Sequence, residues 1–424
     1  MATSKSQDSV AALAQSLSES VALIAKYHEV NKLPSLSLEA DSAQNGSYPP
    51  PVEQARNCLI SDCQNMQRLF TRSEDISHMH GFTQTAFLGL MRFIFEFRIA
   101  QLVPVGGDAK ISYGDVAEKT LVRAGVLRQI LRAAIAFGMF EEKQQGYIAH
   151  SPITRAWVNS DQMSDWFSML EIGSTGLNNL APALRKWPEA DSPAKSAIMF
   201  AIGTGDADFY QYLDRSPSKA KHFAAVMSLY QAGDGYDPRH TVNNFDWSKV
   251  NHLVDVGGST GEIAFMLKKQ CPDLQITVQD LPSTIQAVRK QSNVDLQGVN
   301  FMEHDFFKPQ PVHRADVYML RWILHNWSDA MATRILQALI PGLKPGATVL
   351  IVDEIMPAIG TVPPEIERNQ RTLDLTMLTL FNAKVRELED WKQLVATADS
   401  RFLISNITEP EGSRLSLIEL QWQG

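Results

Sequence analysis

The chain has 424 residues, 44% of them hydrophobic and 20% charged, with a formal net charge of −8. This composition excludes a disordered chain and provides core for more than one domain, while the negative balance argues against a general affinity for nucleic acid or anionic membrane. The only cysteines are Cys58, Cys63 and Cys271, with no Cys-x-x-Cys pair and no histidine at zinc-ligand spacing, so neither a disulfide framework nor a structural metal is expected.

The opening residues MATSKSQDSV lack the cationic start and apolar run of a signal peptide, and the most apolar window, AFLGLMRFIFEF, carries Arg92 in its middle. The expectation is a soluble cytoplasmic protein with no membrane span. From about Ser9 to Tyr27, Val10, Leu13, Leu17, Val21 and Ile24 recur at three- and four-residue steps. That spacing predicts a helix with one apolar face, which needs a partner surface on another subunit or on the body of the protein. Ser35 to Pro51, rich in Ser, Asn, Gly and Pro, reads as a linker.

Thr120 to Phe137 places Val122, Val126, Ile130, Leu131 and Ile135 on one helical face, and Gly138 ends it. MFEEKQQGYIAH (Met139 to His150) then has a Gln-Gly turn between two short strand-like runs. A helix followed by a small hairpin is the outline of a winged helix. Such a motif can read nucleic acid, with Arg123, Arg128 and Arg132 as phosphate contacts, but arginines spaced along a helix of an acidic chain are the ordinary pattern of a solvated face.

Asp161 to Ala232 reads as mostly helical and is rich in Met and aromatics, including Trp166, Met169, Phe209, Tyr210, Tyr212 and Met227. These side chains suit either an apolar pocket or ordinary core. From Asn251 the pattern changes. HLVDV, LQITV, VNFME, ADVYML and TVLIVD are short β-rich runs separated by helix-length segments such as EIAFMLKKQ and AMATRILQALI, the alternation of a doubly wound parallel sheet.

Ligands of such sheets sit beyond the C-terminal ends of the strands. The first run leads into Gly257, Gly258, Ser259, Thr260 and Gly261 before Glu262 opens a helix, and glycines there let a ligand approach the backbone. The G-x-G-x-x-G spacing of dinucleotide sites fails, because its first glycine falls on Val256. Asp255, two residues before the glycines, would repel a pyrophosphate but attract an ammonium or sulfonium charge. Asp280, at the end of ITVQD, stands where an acid can hold both hydroxyls of a ribose. A cationic nucleoside points to S-adenosylmethionine. In LRWILHNWSD (Leu320 to Asp329), His325 follows the fourth strand run, and a histidine in that place is a candidate base.

Taken together, YDPRH and FDW ahead of VDVGGSTG, then VQDLP, HDFF, LHNWSD, LKPGATVLIVDEIMP and FNAKVRELEDW, in this order, resemble the class I S-adenosylmethionine-dependent O-methyltransferases. The resemblance is to the fungal and plant small-molecule type with an N-terminal winged-helix dimerisation domain, and covers most of the chain after about residue 53. It implies an α/β fold: a Rossmann-like, doubly wound, mainly parallel seven-stranded sheet preceded by a mainly helical winged-helix domain. The expected layout is an arm and linker over 1–50, a dimerisation domain over 51–155 and a catalytic domain over 156–424, with a helical pocket insertion at about 161–235.

The resemblance implies that the winged helix dimerises and does not bind DNA. By matching position it implies that Gly257, Gly258 and Gly261 line the methionine and ribose of the cofactor, with Asp255 near the amino group. It places Asp280 on the ribose with Leu281 beside it, Asp305 and Phe306 at the adenine, and Arg321 and Trp327 against the adenosine. It makes His325 the base that takes a proton from a phenolic or enolic hydroxyl of a small, polyketide-type secondary metabolite, with Asp353 as its partner. Trp166, Met169, Met227, Met377 and Phe381 are the expected pocket residues, and no metal is expected.

Two departures stand out. The family often has an aspartate after the histidine, where this chain has Asn326, and its late G-K-E-R motif reads Ala383, Lys384, Val385, Arg386. Valine cannot accept a hydrogen bond. Asp353 is then the main acidic partner left for His325, with Glu387 a second candidate after a local shift. The loss of the glutamate also motivates an alternative: a member of the fold that keeps the cofactor but catalyses a dehydration or pericyclic cyclisation.

Overall fold

The computed structural model describes residues 9–34, 36–37, 48–158, 160–203, 205, 207–232, 234–290 and 298–424. The greater part of the expected linker over 35–51, residues 35 and 38–47, lies outside these residues. Its last two prolines are already helical, because Pro49 caps a helix Pro50–Phe70 whose first turn has no need of a proline N–H. The contacts divide the chain into two compact units, 1–167 with 363–366, and 168–362 with 367–424. Among the described residues no helix is long and apolar enough to cross a membrane.

In the first unit the helix Val10–Val30 pairs with Pro50–Phe70. Its buried face is Leu13, Ser20, Ile24 and His28, while Val10 and Val21 of the expected stripe are about half exposed. The face is rotated because His28 is drawn inward by Tyr48 and the Pro34 carbonyl, both at 2.7 Å from its ring nitrogens. The winged-helix outline is present: the helix Ala124–Ala136 leads into β2 (Phe140–Gln144) and β3 (Tyr147–His150), and β1 (Ile111–Ser112) completes a three-stranded antiparallel sheet. Leu127, Leu131 and Ala134 bury the inner face of that helix against Ile94, Ile99, Phe140 and Ile148. Of its arginines, Arg132 is engaged with Glu142, which itself accepts from the Gly146 N–H.

In the second unit seven strands form one sheet in the order β6-β5-β4-β7-β8-β10-β9: β4 (His252–Val256), β5 (Gln275–Asp280), β6 (Val299–Glu303), β7 (Val317–Arg321), β8 (Thr348–Asp353), β9 (Phe402–Thr408) and β10 (Ser416–Trp422). The first five are parallel, and the C-terminal hairpin β9–β10 adds antiparallel to β8. Successive strand residues face opposite sides. Leu253, Val317, Met319, Leu350 and Val352 therefore enter one core, and Val254, Tyr318, Leu320, Val349 and Ile351 the other. Both faces are covered, which is why these strands are apolar runs without alternation.

Candidate active site

Register brings the strand ends together. Val256 stands beside Gln279, Asp280 beside Glu303, and Arg321 beside Val352. The residues that follow, Gly257 after β4, Asp305 after β6, His325 after β7, and Asp353 at the end of β8, are thus gathered at one edge of the sheet although they span almost 100 positions of sequence.

The glycine turn is built to have no side chains. Gly257 and Gly258 both donate to the Gln279 carbonyl, at 2.7 and 3.1 Å. A β-carbon at Gly257, which has φ +74°, would lie 2.5 Å from Ile323 Cδ1; one at Gly258 would lie 2.5 Å from the Asp255 carboxyl, and one at Gly261 2.8 Å from Phe301. Asp280 locks the turn, its two oxygens accepting from the Ser259 N–H at 2.9 Å and the Leu281 N–H at 2.8 Å. A carboxylate offers about four acceptor positions, so roughly two remain for a ligand.

Asp255 is buried, and burial with the Asp280 charge pushes its carboxyl up to about 7 against the opposing pull of Arg321. Arg321 donates to the Tyr236 carbonyl at 2.5 Å, lies near the charges of Asp255 and Glu262, and has a buried Nε with no hydrogen-bond partner. A buried carboxylic acid and a buried, partly orphaned guanidinium beside a bare backbone cradle suit a zwitterionic amino-acid end of a ligand. On the other side, Phe306 approaches Gly257 and packs edge-on to Trp327 at 5.9 Å. Asp305 is half-buried, and its Oδ1 caps the turn by accepting from the Phe307 N–H at 3.0 Å. Trp327 and Arg321, expected together, have different neighbours: Trp327 joins Phe306 and Phe307, and Arg321 joins Tyr236 and the Asp255 side.

His325 sits in a single helical turn, Leu324–Asn326. Its Nδ1 lies 2.6 Å from Asp353 Oδ1, its backbone N–H donates to Oδ2 at 3.1 Å, and the Glu354 N–H donates to Oδ1 at 3.0 Å. A carboxylate can only accept, so the ring proton is on Nδ1 and the lone pair is on Nε2. The turn is aimed by Trp322, a non-glycine residue at φ +57°, whose N–H donates to the Val352 carbonyl and whose ring packs on His325 at 6.1 Å.

Residues outside the expected set hold this turn. Arg386, fully buried, donates to the carbonyls of Leu324 at 2.7 Å and Trp327 at 2.8 Å and to Asp329 at 2.9 Å, bracing both sides of His325. The arginine was visible in the late motif, but its targets are some 60 positions earlier. Val385 is buried among Met356, Met377 and Phe381, and its N–H donates to Asp374 at 2.8 Å. Glu387 does not stand in for the missing acid, since its side chain turns to Arg371 and, as the N-cap of the helix Leu388–Ala398, accepts from the Asp390 backbone N–H. Asn326 donates to the Trp322 carbonyl at 3.4 Å.

Of the expected pocket residues, Met377 and Phe381 are buried in one apolar cluster with Met169 packed against it and Tyr210 stacked on Phe381. Met227 is half-buried on the helix Pro217–Ala232, and Trp166 belongs to the first unit.

A family model described as an O-methyltransferase domain matches residues 187–400, half of the chain. The O-methyltransferase gsfB of Penicillium aethiopicum is 42% identical over 97% of both chains. The chain belongs to the O-methyltransferase family. It is an S-adenosylmethionine-dependent O-methyltransferase, related to fungal enzymes of secondary metabolism. Two solved structures share the fold. A crystal structure of OxaC in complex with sinefungin and meleagrin is 19% identical and covers 96% of this chain and 99% of its own at a TM-score of 0.73. Another, titled a pericyclic reaction enzyme, is 18% identical and covers 96% and 100% at 0.68. The fold thus accommodates both chemistries, and the sequence relatives favour methyl transfer over the alternative.

Proposed function

We propose that this O-methyltransferase methylates a phenolic or enolic hydroxyl of a polyketide-type aromatic, with His325 as general base oriented by Asp353. The observation behind this reading is the His325–Asp353 bond of 2.6 Å beside the glycine cradle, with Ile323 covering Gly257 two residues before the histidine. S-adenosylmethionine, when bound, supplies an electrophilic methyl group on a sulfonium sulfur. Gly257, Gly258 and Gly261 give it backbone, Asp280 and Leu281 the ribose, Asp305, Phe306 and Trp327 the adenine, and Asp255 and Arg321 the charged amino-acid end. His325 Nε2 accepts the hydroxyl proton as the oxygen takes the methyl, and Asp353 stabilises the imidazolium that results. Alignment supplies the greater part of the acceleration, since an activated methyl needs only an in-line nucleophile. Met169, Met377 and Phe381, with Met227, form the apolar lining.

Label from methyl-labelled S-adenosylmethionine is expected on the oxygen of at least one member of a panel of hydroxylated naphthalenes and anthraquinones, with one S-adenosylhomocysteine per ether formed. Substrate consumed without S-adenosylhomocysteine would overturn the reading. The winged-helix region over 51–155 serves as the dimerisation module of a cytoplasmic homodimer, a role supported by exposed Phe70, Ile76, Phe82 and Leu88.

The Asp255 assignment predicts a pH dependence. An ammonium beside a carboxyl that titrates near 7 selects its charged form, so cofactor binding releases a proton below that pH. Affinity is expected to rise with pH up to about 7, by at most about tenfold per unit, and Asp255→Asn abolishes the dependence. Calorimetry at pH 6 in buffers of different ionisation enthalpy measures the release; no proton release in the wild type contradicts the placement.

A further inference from the structure

The acid missing at position 385 has a counterpart elsewhere in the site. Glu354 follows Asp353 directly, is 2% exposed, and donates its own N–H to Asp353 Oδ1. Its Oε1 accepts from the Tyr236 hydroxyl at 2.6 Å, whereas its Oε2 is buried without any hydrogen-bond partner. A carboxyl in this state is costly unless a nearby charge compensates it. The titratable and charged groups facing it are Tyr236, His325, Arg414 and Asp353, and the interaction with His325 favours its ionised form. Arg414 lies over the Tyr236 ring at 5.6 Å. The Tyr236 ring meets Trp322 at 4.8 Å, and Trp322 meets His325 at 6.1 Å, so one packed group holds the glutamate and the histidine in fixed relation.

We propose that Glu354 is a positioning residue of the base: held by the Tyr236 hydroxyl, its carboxylate is the second acid that stabilises the charge His325 acquires on taking the substrate proton. The step balances simply. The O–H bond breaks, its proton passes to His325 Nε2, the O–CH3 bond forms as the S–CH3 bond breaks, and the positive charge of the sulfonium ends on the imidazole. Asp353 meets that charge at Nδ1, and Glu354 adds a second negative group at no cost in side-chain ordering, because Tyr236 already fixes it. Burial, with the Asp353 charge, raises the Glu354 carboxyl above the usual range against the opposing pull of the Tyr236 hydroxyl, His325 and Arg414. This makes Tyr236 a link between the two halves of the site, since its carbonyl holds Arg321 and its hydroxyl holds Glu354. The acids in other places are committed elsewhere: Asp374 accepts from the Val385 N–H, and Glu387 pairs with Arg371.

This inference rests on the reading of His325 as the base, and its test needs no substrate. In the full chain with labelled histidine, the His325 imidazole is assigned by its loss in His325→Ala and titrated by NMR. Glu354→Gln is expected to move the titration midpoint down by about one pH unit, a tenfold loss of proton affinity, with S-adenosylmethionine affinity unchanged. An unmoved midpoint in a variant that still binds the cofactor overturns the proposal. Should Glu354→Gln fail to fold, Tyr236→Phe removes only the hydroxyl that holds the carboxylate; a lowered midpoint supports the proposal and an unmoved one overturns it. Loss of methyl transfer in His325→Ala, measured separately, tests the base itself, so the two readings fail independently.

Discussion

His325→Ala is expected to lower kcat for methyl transfer about 10²–10⁴-fold, the range of general-base contributions, while leaving S-adenosylmethionine affinity within about twofold because the imidazole itself is assigned no contact with the cofactor. The Nε2 lone pair is available because Nδ1 is committed to Asp353, and the ring is held from below by that carboxylate and from the side by Trp322. The loss should shrink with acidic phenols and at high pH, where the hydroxyl is already ionised and needs no base. Single-turnover transfer measured over a series of substituted phenols checks both points. Undiminished transfer in the variant, across the series, would remove His325 from the chemistry.

Asp353→Asn is expected to cost a similar factor in kcat, about 10²–10⁴, and also to lower the melting temperature by several degrees, about 2–4 °C per kcal/mol. Asp353 is fully buried and accepts from the His325 ring, the His325 N–H and the Glu354 N–H. An amide has only one acceptor oxygen. If that oxygen serves His325 Nδ1 and the Glu354 N–H, the NH2 group faces the His325 backbone N–H, donor against donor. If the amide flips, the NH2 faces Nδ1, forces the lone pair there and moves the proton to Nε2, which can then no longer accept. Either orientation leaves buried donors unmatched, at about 1–3 kcal/mol each. Wild-type kcat with an unchanged melting curve would show that the pair is not what orients the base.

These expectations were legible in the sequence to different depths. The strands β4 to β8 were readable because doubly covered parallel strands are apolar runs with no competing pattern. The glycine turn was readable because close approach to the backbone demands a residue with no side chain. The helix Val10–Val30 was readable but its buried face was not, since the inward pull on His28 comes from Tyr48, 20 residues on. Glu354 gave no usable signal and Arg386 showed only as a member of the late motif: a charged residue is ordinarily a surface residue, and only packing shows that both are buried.

By itself, the sequence determined what short-range chemistry can specify: a doubly wound sheet, a bare glycine turn after its first strand, a histidine beyond a strand end, and a valine where a helping acid was expected. The tertiary structure decided how those residues combine. Strand register brings Asp353 to His325, Arg386 reaches back some 60 residues to clamp the turn, and burial turns Glu354 toward Tyr236 in place of solvent. Such pairings depend on which strands lie side by side and which groups lose water, and neither is fixed by local sequence.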